Sequence, residues 1–347
     1  MSGYRPRTNS EWGFLGAIVG QAVCATALDI AVLWKYFSWV TPLVYQVQQS
    51  YSIPVNCGLI IFGLCYQSVL TVDALHTRNN VQMYNICVFN ALLLTFIAMS
   101  YGQTAEVISG LSTSRALGDQ PLVDLSVDLW ASVRLLLLTL SVVVAIATLG
   151  LFFYGYKLHN EFAWAIYRHV RGSRQMRQWF LMYKVLVVFI KVELYFFIGF
   201  LLLYGLVNVH FEVPEFPLIV CLLLSELVQI ALALYFTKTE NTLGAIIAIA
   251  FRLAQIAYLV SRIVVLCGNG IRANTILKNE MLLFAGSALA FNAFICINSV
   301  LCITNFGCGL KPLLSGEISN ERQPYEFHSL GYQPANQSFV SRRLSLD

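Results

Sequence analysis

The sequence predicts an all-α polytopic membrane protein, a transmembrane helix bundle of about eight spans with a disordered C-terminal tail. Three observations predict this fold class. Hydrophobic residues make up 58% of the 347 residues, and the mean hydropathy is +0.68. Charged residues make up 12%, about half of the share in ordinary soluble chains. Eight apolar stretches are long enough to cross a bilayer core about 30 Å thick.

Each stretch is predicted as one helix, because backbone groups in lipid must form their hydrogen bonds within the segment. In chain order the predicted spans are 12–34, 53–72, 81–100, 135–156, 183–209, 217–237, 243–267 and 281–304. The turn 238–242 between the sixth and seventh spans is short, but a merged helix would be far too long for one crossing. Residues 12–304 are therefore predicted to form the bundle, after an N-terminus of residues 1–11.

Residues 305–347 are rich in Pro, Ser, Asn, Gln and Glu, a composition that predicts a largely disordered tail. Its end, Arg342-Arg343-Leu344-Ser345, is similar to a basophilic kinase site, so Ser345 is a phosphorylation candidate.

The distribution of Lys and Arg among the loops predicts that both termini are cytosolic. An even number of spans puts the two termini on one side of the membrane. Most loop cations fall on that side, and those assigned to the opposite side include Lys35, Arg115, Arg272 and Lys278. The segment 101–132 is then a lumenal loop and 157–182 a cytosolic one. The reversed orientation is the alternative.

Six ionisable residues within the predicted spans are the candidate site: Asp29, Lys191, Glu193, Glu226, Arg252 and Arg262. Each costs at least about 2.5 kcal/mol at a helix centre, so such groups usually face a partner or water. Two hypotheses follow from this set. The residues line a polar cavity for an ion, a proton or a polar substrate between the fifth, sixth and seventh helices, or they form a static ion-pair network that fixes helix packing.

Spacing and depth predict which of these residues can pair. Lys191 and Glu193 are two residues apart, about 200° around a helix, and cannot pair with each other. Residues at similar depth in the membrane are expected to pair, which predicts Glu226 or Glu193 as the partner of Arg252. The same criterion predicts Asp29 as the partner of Arg262.

The signals for an enzyme are missing from the sequence. All five histidines fall in loops, at span edges or in the tail, and no Gly-x-Ser-x-Gly elbow or pair of intramembrane aspartates occurs. Nucleotide-binding glycine patterns are also absent. We therefore expect no catalytic residues, metal or cofactor. A net charge of +4 is too weak for a nucleic-acid partner.

The cytosolic segment 157–182 combines a basic face with an apolar stripe. Its headgroup candidates are Arg168, Arg171, Arg174 and Arg177. Phe162, Ile166 and Val170 recur every four residues, which is typical of an amphipathic helix lying on an anionic leaflet. Besides the bilayer itself, anionic lipids are therefore predicted partners. A basic anchor that only orients the protein is the alternative.

Several long strings resemble a fungal family of uncharacterised multi-pass Golgi apparatus membrane proteins. They include Trp34-Lys35-Tyr36-Phe37, Ile53-Pro54-Val55-Asn56-Cys57-Gly58 and Lys157-Leu158-His159-Asn160-Glu161-Phe162. The resemblance implies a Golgi membrane location and no particular activity. Two functions remain open: transport or sensing of a small polar or ionic species through helices five to seven, or a non-transporting scaffold or sorting factor. The second would recruit cytosolic trafficking partners through the basic segment and tail.

Overall fold

The computed structural model describes residues 6, 8–41, 44, 47–115, 121–169, 174–209, 213–270, 273, 275 and 277–306, without the side chains of residues 163–177 and 180. No strand occurs in this part of the chain. Two isolated bridges join Val40 to Val123 and Arg115 to Pro121.

Eight long helices form the described part of the bundle. In order they are α1 (Asn9–Trp39), α2 (Ser52–Thr77), α3 (Asn80–Thr113), α4 (Leu129–His169), α5 (Arg174–Leu203), α6 (Glu215–Lys238), α7 (Thr242–Cys267) and α8 (Lys278–Ile303). A 3₁₀ turn (Gln48–Tyr51) precedes α2, and a π turn (Tyr204–Val209) follows α5. Each long helix contains a window long and apolar enough to cross a membrane. The predicted all-α bundle with eight spans is confirmed.

Local capping explains where several helices begin and end. The side chains of Thr8, Asn79 and Asn241 accept hydrogen bonds from backbone N–H groups at the starts of α1, α3 and α7, groups that have no partner within the helix. Arg78 ends α2 in the left-handed conformation, with φ 47°.

The two long loops are shorter than the sequence predicts. α3 continues to Thr113, so the opposite-side loop is only 114–128 of the expected 101–132. Within 157–182, residues up to His169 prolong α4 and Arg174 begins α5, so the described residues on either side of 170–173 belong to the ends of two long helices. The helix ends that extend beyond the apolar core carry polar residues. A prediction from hydropathy therefore ends each helix too early.

The helices pack in two groups that meet at α5 and α8. α1 packs mainly against α4 and α2, and α3 packs against α4 and α2. α5 packs mainly against α8, which in turn contacts α7, while α6 packs against α7 and α5. α6 buries only Ile219, Glu226, Gln229 and Thr237. Leu222, Leu223 and Ile230 are partly buried against the interior, and the exposed face of α6 is available to lipid.

Two of the three hydrophobic clusters among the described residues fill most of the bundle, and a small third one joins α5 to α8. The main cluster occupies most of the interior, including Phe14, Leu64, Phe96, Phe196 and Phe284. The cap cluster lies on the side away from the start of α1 and combines helix ends with loop residues: Val32, Tyr36, Trp39, Val44, Ile53, Cys57, Val107, Leu111, Leu122 and Val123. We call this the opposite side, and the side where α1 begins and α8 ends the terminal side.

Candidate functional site

Arg252 lies inside the bundle on the buried face of α7. That face is formed by Ala245, Ala248, Arg252, Gln255 and Leu259, spaced three and four residues apart. This spacing makes one helical stripe, and its small alanines leave room for a long side chain. Arg252 is 2% exposed as a result.

Two carboxylates bracket the Arg252 guanidinium. Its Nη1 lies 2.9 Å from Oε2 of Glu193 on α5, and its Nη2 lies 3.2 Å from Oε1 of Glu226 on α6. Both carboxylates are fully buried. Depth matching predicted one or the other of these residues as the partner of Arg252, and the structure brings both to it.

Neutral amides complete the contacts around these charges. Asn292 on α8 accepts from Arg252 Nη1 at 3.1 Å and donates to Glu193 Oε1 at 2.8 Å. Gln255 accepts from the same Nη1 at 3.2 Å and donates to Glu226 Oε2. Gln229 on α6, with its amide oxygen turned to the guanidinium, accepts from Arg252 Nε at 3.1 Å. These six residues, here named the Arg252 cluster, join α5, α6, α7 and α8.

The cluster carries one more carboxylate than it has cations. With both glutamates ionised, the formal charge of this buried cluster is −1. An uncompensated buried charge is costly, and a carboxylate in that position gains stability by binding a proton. No group of three His, Cys, Asp or Glu among the described residues could hold a metal ion. The excess of one carboxylate over the cations fits one exchangeable proton.

Hydrogen bonding distinguishes the two glutamates. Glu193 accepts from Arg252 through one oxygen and from Asn292 through the other. Glu226 accepts only through Oε2, because its Oε1 faces Arg252 Nη2 outside hydrogen-bonding geometry. Donors stabilise the ionised form of a carboxyl group. Glu193 therefore has the more complete set of hydrogen bonds, and one oxygen of Glu226 is left without a hydrogen-bond donor among the described residues.

Lys191 lies on a different side of α5 from Glu193. Its Nζ contacts Asp73 Oδ2 at 2.6 Å, and the same oxygen accepts from Gln82 at 2.7 Å. The Lys191 and Asp73 side chains are 34% and 38% exposed. Lys191 therefore pairs away from the cluster and does not neutralise its extra charge.

The predicted pairing of Arg262 with Asp29 is wrong. Arg262 donates to the Tyr204 hydroxyl at 3.1 Å and lies 3.7 Å from Glu215 Oε2. Asp29 is buried on α1 beside Cys57. Depth was the only criterion for that pairing, and α1 packs mainly against α4 and α2 rather than α7.

Three acidic partners were missed because they lie just outside the predicted spans. Asp73, Glu215 and Glu280 fall one or two residues beyond the predicted limits at 72, 217 and 281, so they were treated as loop residues. Helical phase could have identified Glu280, which precedes the buried Phe284 and Ala288 at intervals of four residues.

The headgroup candidates can be placed only in part. The backbone of Arg168, Arg174 and Arg177 is helical. Their side chains, and the whole of Arg171 and Ser345, lie outside the described residues. Next to this region, Glu161 accepts hydrogen bonds from the Thr8 and Ser10 hydroxyls at 3.0 and 2.8 Å, which joins the start of α1 to α4.

Comparison with known proteins identifies one similar membrane protein. The chain is 22% identical over 284 residues to a UPF0658 Golgi apparatus membrane protein of Schizosaccharomyces pombe, a match that covers 75% of this chain and 78% of that protein. The resemblance to a fungal family of Golgi membrane proteins is thereby confirmed. No protein-family profile matches the chain, and no solved structure matches it.

Proposed function

We propose that this chain is a Golgi membrane protein, with both termini in the cytosol, that moves a small ionic species by binding and releasing a proton at the Arg252 cluster. The observation that carries the proposal is the charge imbalance of that cluster. Two fully buried carboxylates share one guanidinium near the middle of the membrane. A network that served packing alone would be more stable with balanced charges.

The position of Glu226 links its protonation to the packing of α6. Glu226 and Gln229 are two of the four buried residues of α6, and both contact groups of the Arg252 cluster. These polar contacts add to the apolar packing of α6, to which Leu222, Leu223 and Ile230 contribute. A proton on Glu226 removes its charge attraction to Arg252 and weakens the packing of α6.

The described conformation is a closed one. Glu193 and Glu226 have no solvent-accessible surface, and Arg252 is 2% exposed. The apolar pocket of about 260 Å³ beside Phe62 and Leu202 lies between α2 and the end of α5, away from the cluster. Proton exchange therefore requires an opening movement, for which the sparsely packed α6 is the natural element.

The alternative of a non-transporting scaffold depends on the basic segment 157–182 and the tail. An anionic-lipid contact there is compatible with either function, because it acts at the membrane surface. The charge imbalance favours proton binding over the scaffold, since recruitment of cytosolic partners does not require an excess carboxylate at mid-membrane depth.

Proton flux in reconstituted vesicles tests the proposal. We expect the wild-type chain to dissipate an imposed pH gradient, and the Glu226→Gln variant to do so at about one tenth of that rate or more slowly. Glu226→Asp keeps a titratable group and should retain part of the flux. The exposed Glu106 is the control, and Glu106→Gln should leave the rate unchanged. Equal rates for wild type and a well-folded Glu226→Gln protein would refute proton movement at this cluster.

A further inference from the structure

Asp29 is a second intramembrane carboxyl group without a cation. It is fully buried on α1, and neither of its oxygens has a hydrogen-bond partner of good geometry among the described residues. Its polar neighbour is the Cys57 thiol on α2. From α4, the other main contact of α1, only the uncharged run 135–156 reaches this depth.

A polar layer surrounds Asp29 between the two hydrophobic clusters. On α1, Asp29 lies between Ala25 of the main cluster and Val32 of the cap cluster. On α2, Asn56 adjoins Cys57, the last residue of the cap cluster before Leu59 of the main cluster. On α3, Ser100 and Gln103 lie between residues of the two clusters. Three helices thus place buried polar side chains at one level, although apolar residues there would have joined the two clusters.

Glu280 of α8 completes this layer and differs from Asp29 in its hydrogen bonding. The Ser100 hydroxyl donates to Glu280 at 3.1 Å, and the Gln103 amide donates to its two oxygens at 2.8 and 3.1 Å. The Asn56 side chain also donates to it, while Asn56 Oδ1 has no partner. These donors favour the ionised form of Glu280 and act against the larger effect of its burial, which favours the neutral form. Asp29 has no comparable donors.

We propose that Asp29 carries an exchangeable proton and forms a second proton-binding site, in the half of the bundle on the opposite side. Protonation forms an O–H bond on one carboxylate oxygen of Asp29, and release returns that proton to water on the opposite side. Asp29 is neutral in the closed conformation because a carboxylate there would have neither a cation nor strong donors.

α8 connects this site to the Arg252 cluster. Glu280 belongs to the polar layer and Asn292 to the cluster, about 18 Å apart along the helix. Phe284 lies between them and packs against Phe96 at a ring distance of 4.9 Å and against Tyr195 at 5.7 Å. The aromatic rings separate the two sites with apolar material. A proton path through both sites rests on the proposed function. The binding of a proton at Asp29 does not depend on that function.

Infrared difference spectroscopy of the full-length chain in lipid bilayers tests the assignment. A protonated carboxyl group has a carbonyl band that disappears when the group ionises. Between acid and alkaline pH, we expect wild type to lose one band from Asp29 and one from the Glu193–Glu226 pair, and the Glu280→Gln variant identifies any further band from the buried Glu280. Asp29→Asn should lose one of the two signals, and Glu226→Gln should lose the other. The double variant should lose both.

The outcomes separate the two proposals. A signal removed by Asp29→Asn and retained in Glu226→Gln supports the second site even if the cluster binds no proton. A spectrum unchanged by Asp29→Asn at every pH would overturn it. If Asp29→Asn does not fold, Asp29→Glu should fold and show a titrating band at a shifted frequency. An unshifted spectrum of that variant would also overturn the proposal.

Discussion

Gly199 on α5 lies directly against the ring of Phe284 on α8, where a side chain on the glycine would overlap the aromatic carbons. Gly63 on α2 similarly faces the Tyr195 ring. These close approaches let α5 contact both halves of the bundle, and they occur at the aromatic layer between the Arg252 cluster and the polar layer.

Gly199→Ala should destabilise the protein, because the added methyl group forces Phe284 from its position. Overpacking of this kind typically costs about 1–3 kcal/mol. Thermal unfolding in detergent measures the effect. Gly150→Ala on α4 is the matched control, since a methyl group there has open space, and it should be neutral or slightly stabilising. Equal melting temperatures for the two variants would contradict close packing at Gly199.

Arg252→Gln should be more damaging than Glu226→Gln. Loss of the guanidinium leaves Glu193 and Glu226 without a cation, and breaking a buried pair typically costs about 3–5 kcal/mol. Glu226→Gln leaves the balanced pair Glu193–Arg252, so its loss should be smaller. Protein abundance and melting temperature measure the order. The double variant Arg252→Gln with Glu193→Gln should recover part of the loss, and a lack of recovery would count against their direct coupling.

The Lys191–Asp73 pair should contribute little to stability despite its short distance. Both side chains are about one third exposed, and such pairs are worth about 0–1 kcal/mol. Lys191→Gln and Asp73→Asn should therefore lower the melting temperature far less than Arg252→Gln. A loss as large as that of Arg252→Gln would show that this pair is structurally essential.

The orientation can be tested by glycosylation mapping. Sequons introduced in the loop 114–128 should be modified, because the loop cations predict that this segment is lumenal. The native sequon Asn336-Gln337-Ser338 should remain unmodified, because the tail is predicted to be cytosolic. Modification of Asn336 would reverse the topology.

The basic segment should make the protein sensitive to lipid charge. We expect the wild-type protein to be more stable in anionic than in neutral lipid. Replacing Arg168, Arg171 and Arg174 together by Gln should remove that difference. Salt should weaken the wild-type effect, because ions screen exposed charges over about 10 Å at 0.1 M. The measurement is thermal unfolding in nanodiscs of the two lipid compositions. If the melting temperature of the variant changes between the two lipids as much as that of wild type, these arginines do not bind the anionic headgroups.

Hydropathy located all eight helices because each buries its backbone in lipid, a requirement that any spanning segment must meet. The cluster partners of Arg252 were also predictable, since Glu193 and Glu226 lie at similar depth. The partner of Arg262 was not, because depth contains no information about which helices are neighbours. Asp73 and Glu280 were missed because hydropathy measures apolar length, and helices extend beyond that length into buried polar contacts.

The lipid-facing surface of α6 has a mechanical consequence. Leu218, Leu224, Val228 and Tyr235 are at least half exposed on the same helix whose Glu226 reaches the Arg252 cluster. A bilayer that is thicker or thinner than this helix tilts it at a modest free-energy cost per ångström of mismatch. Membrane thickness therefore acts on the same contact between α6 and the Arg252 cluster as the proton does. Bilayer composition is thus a variable that sets how readily Glu226 separates from Arg252.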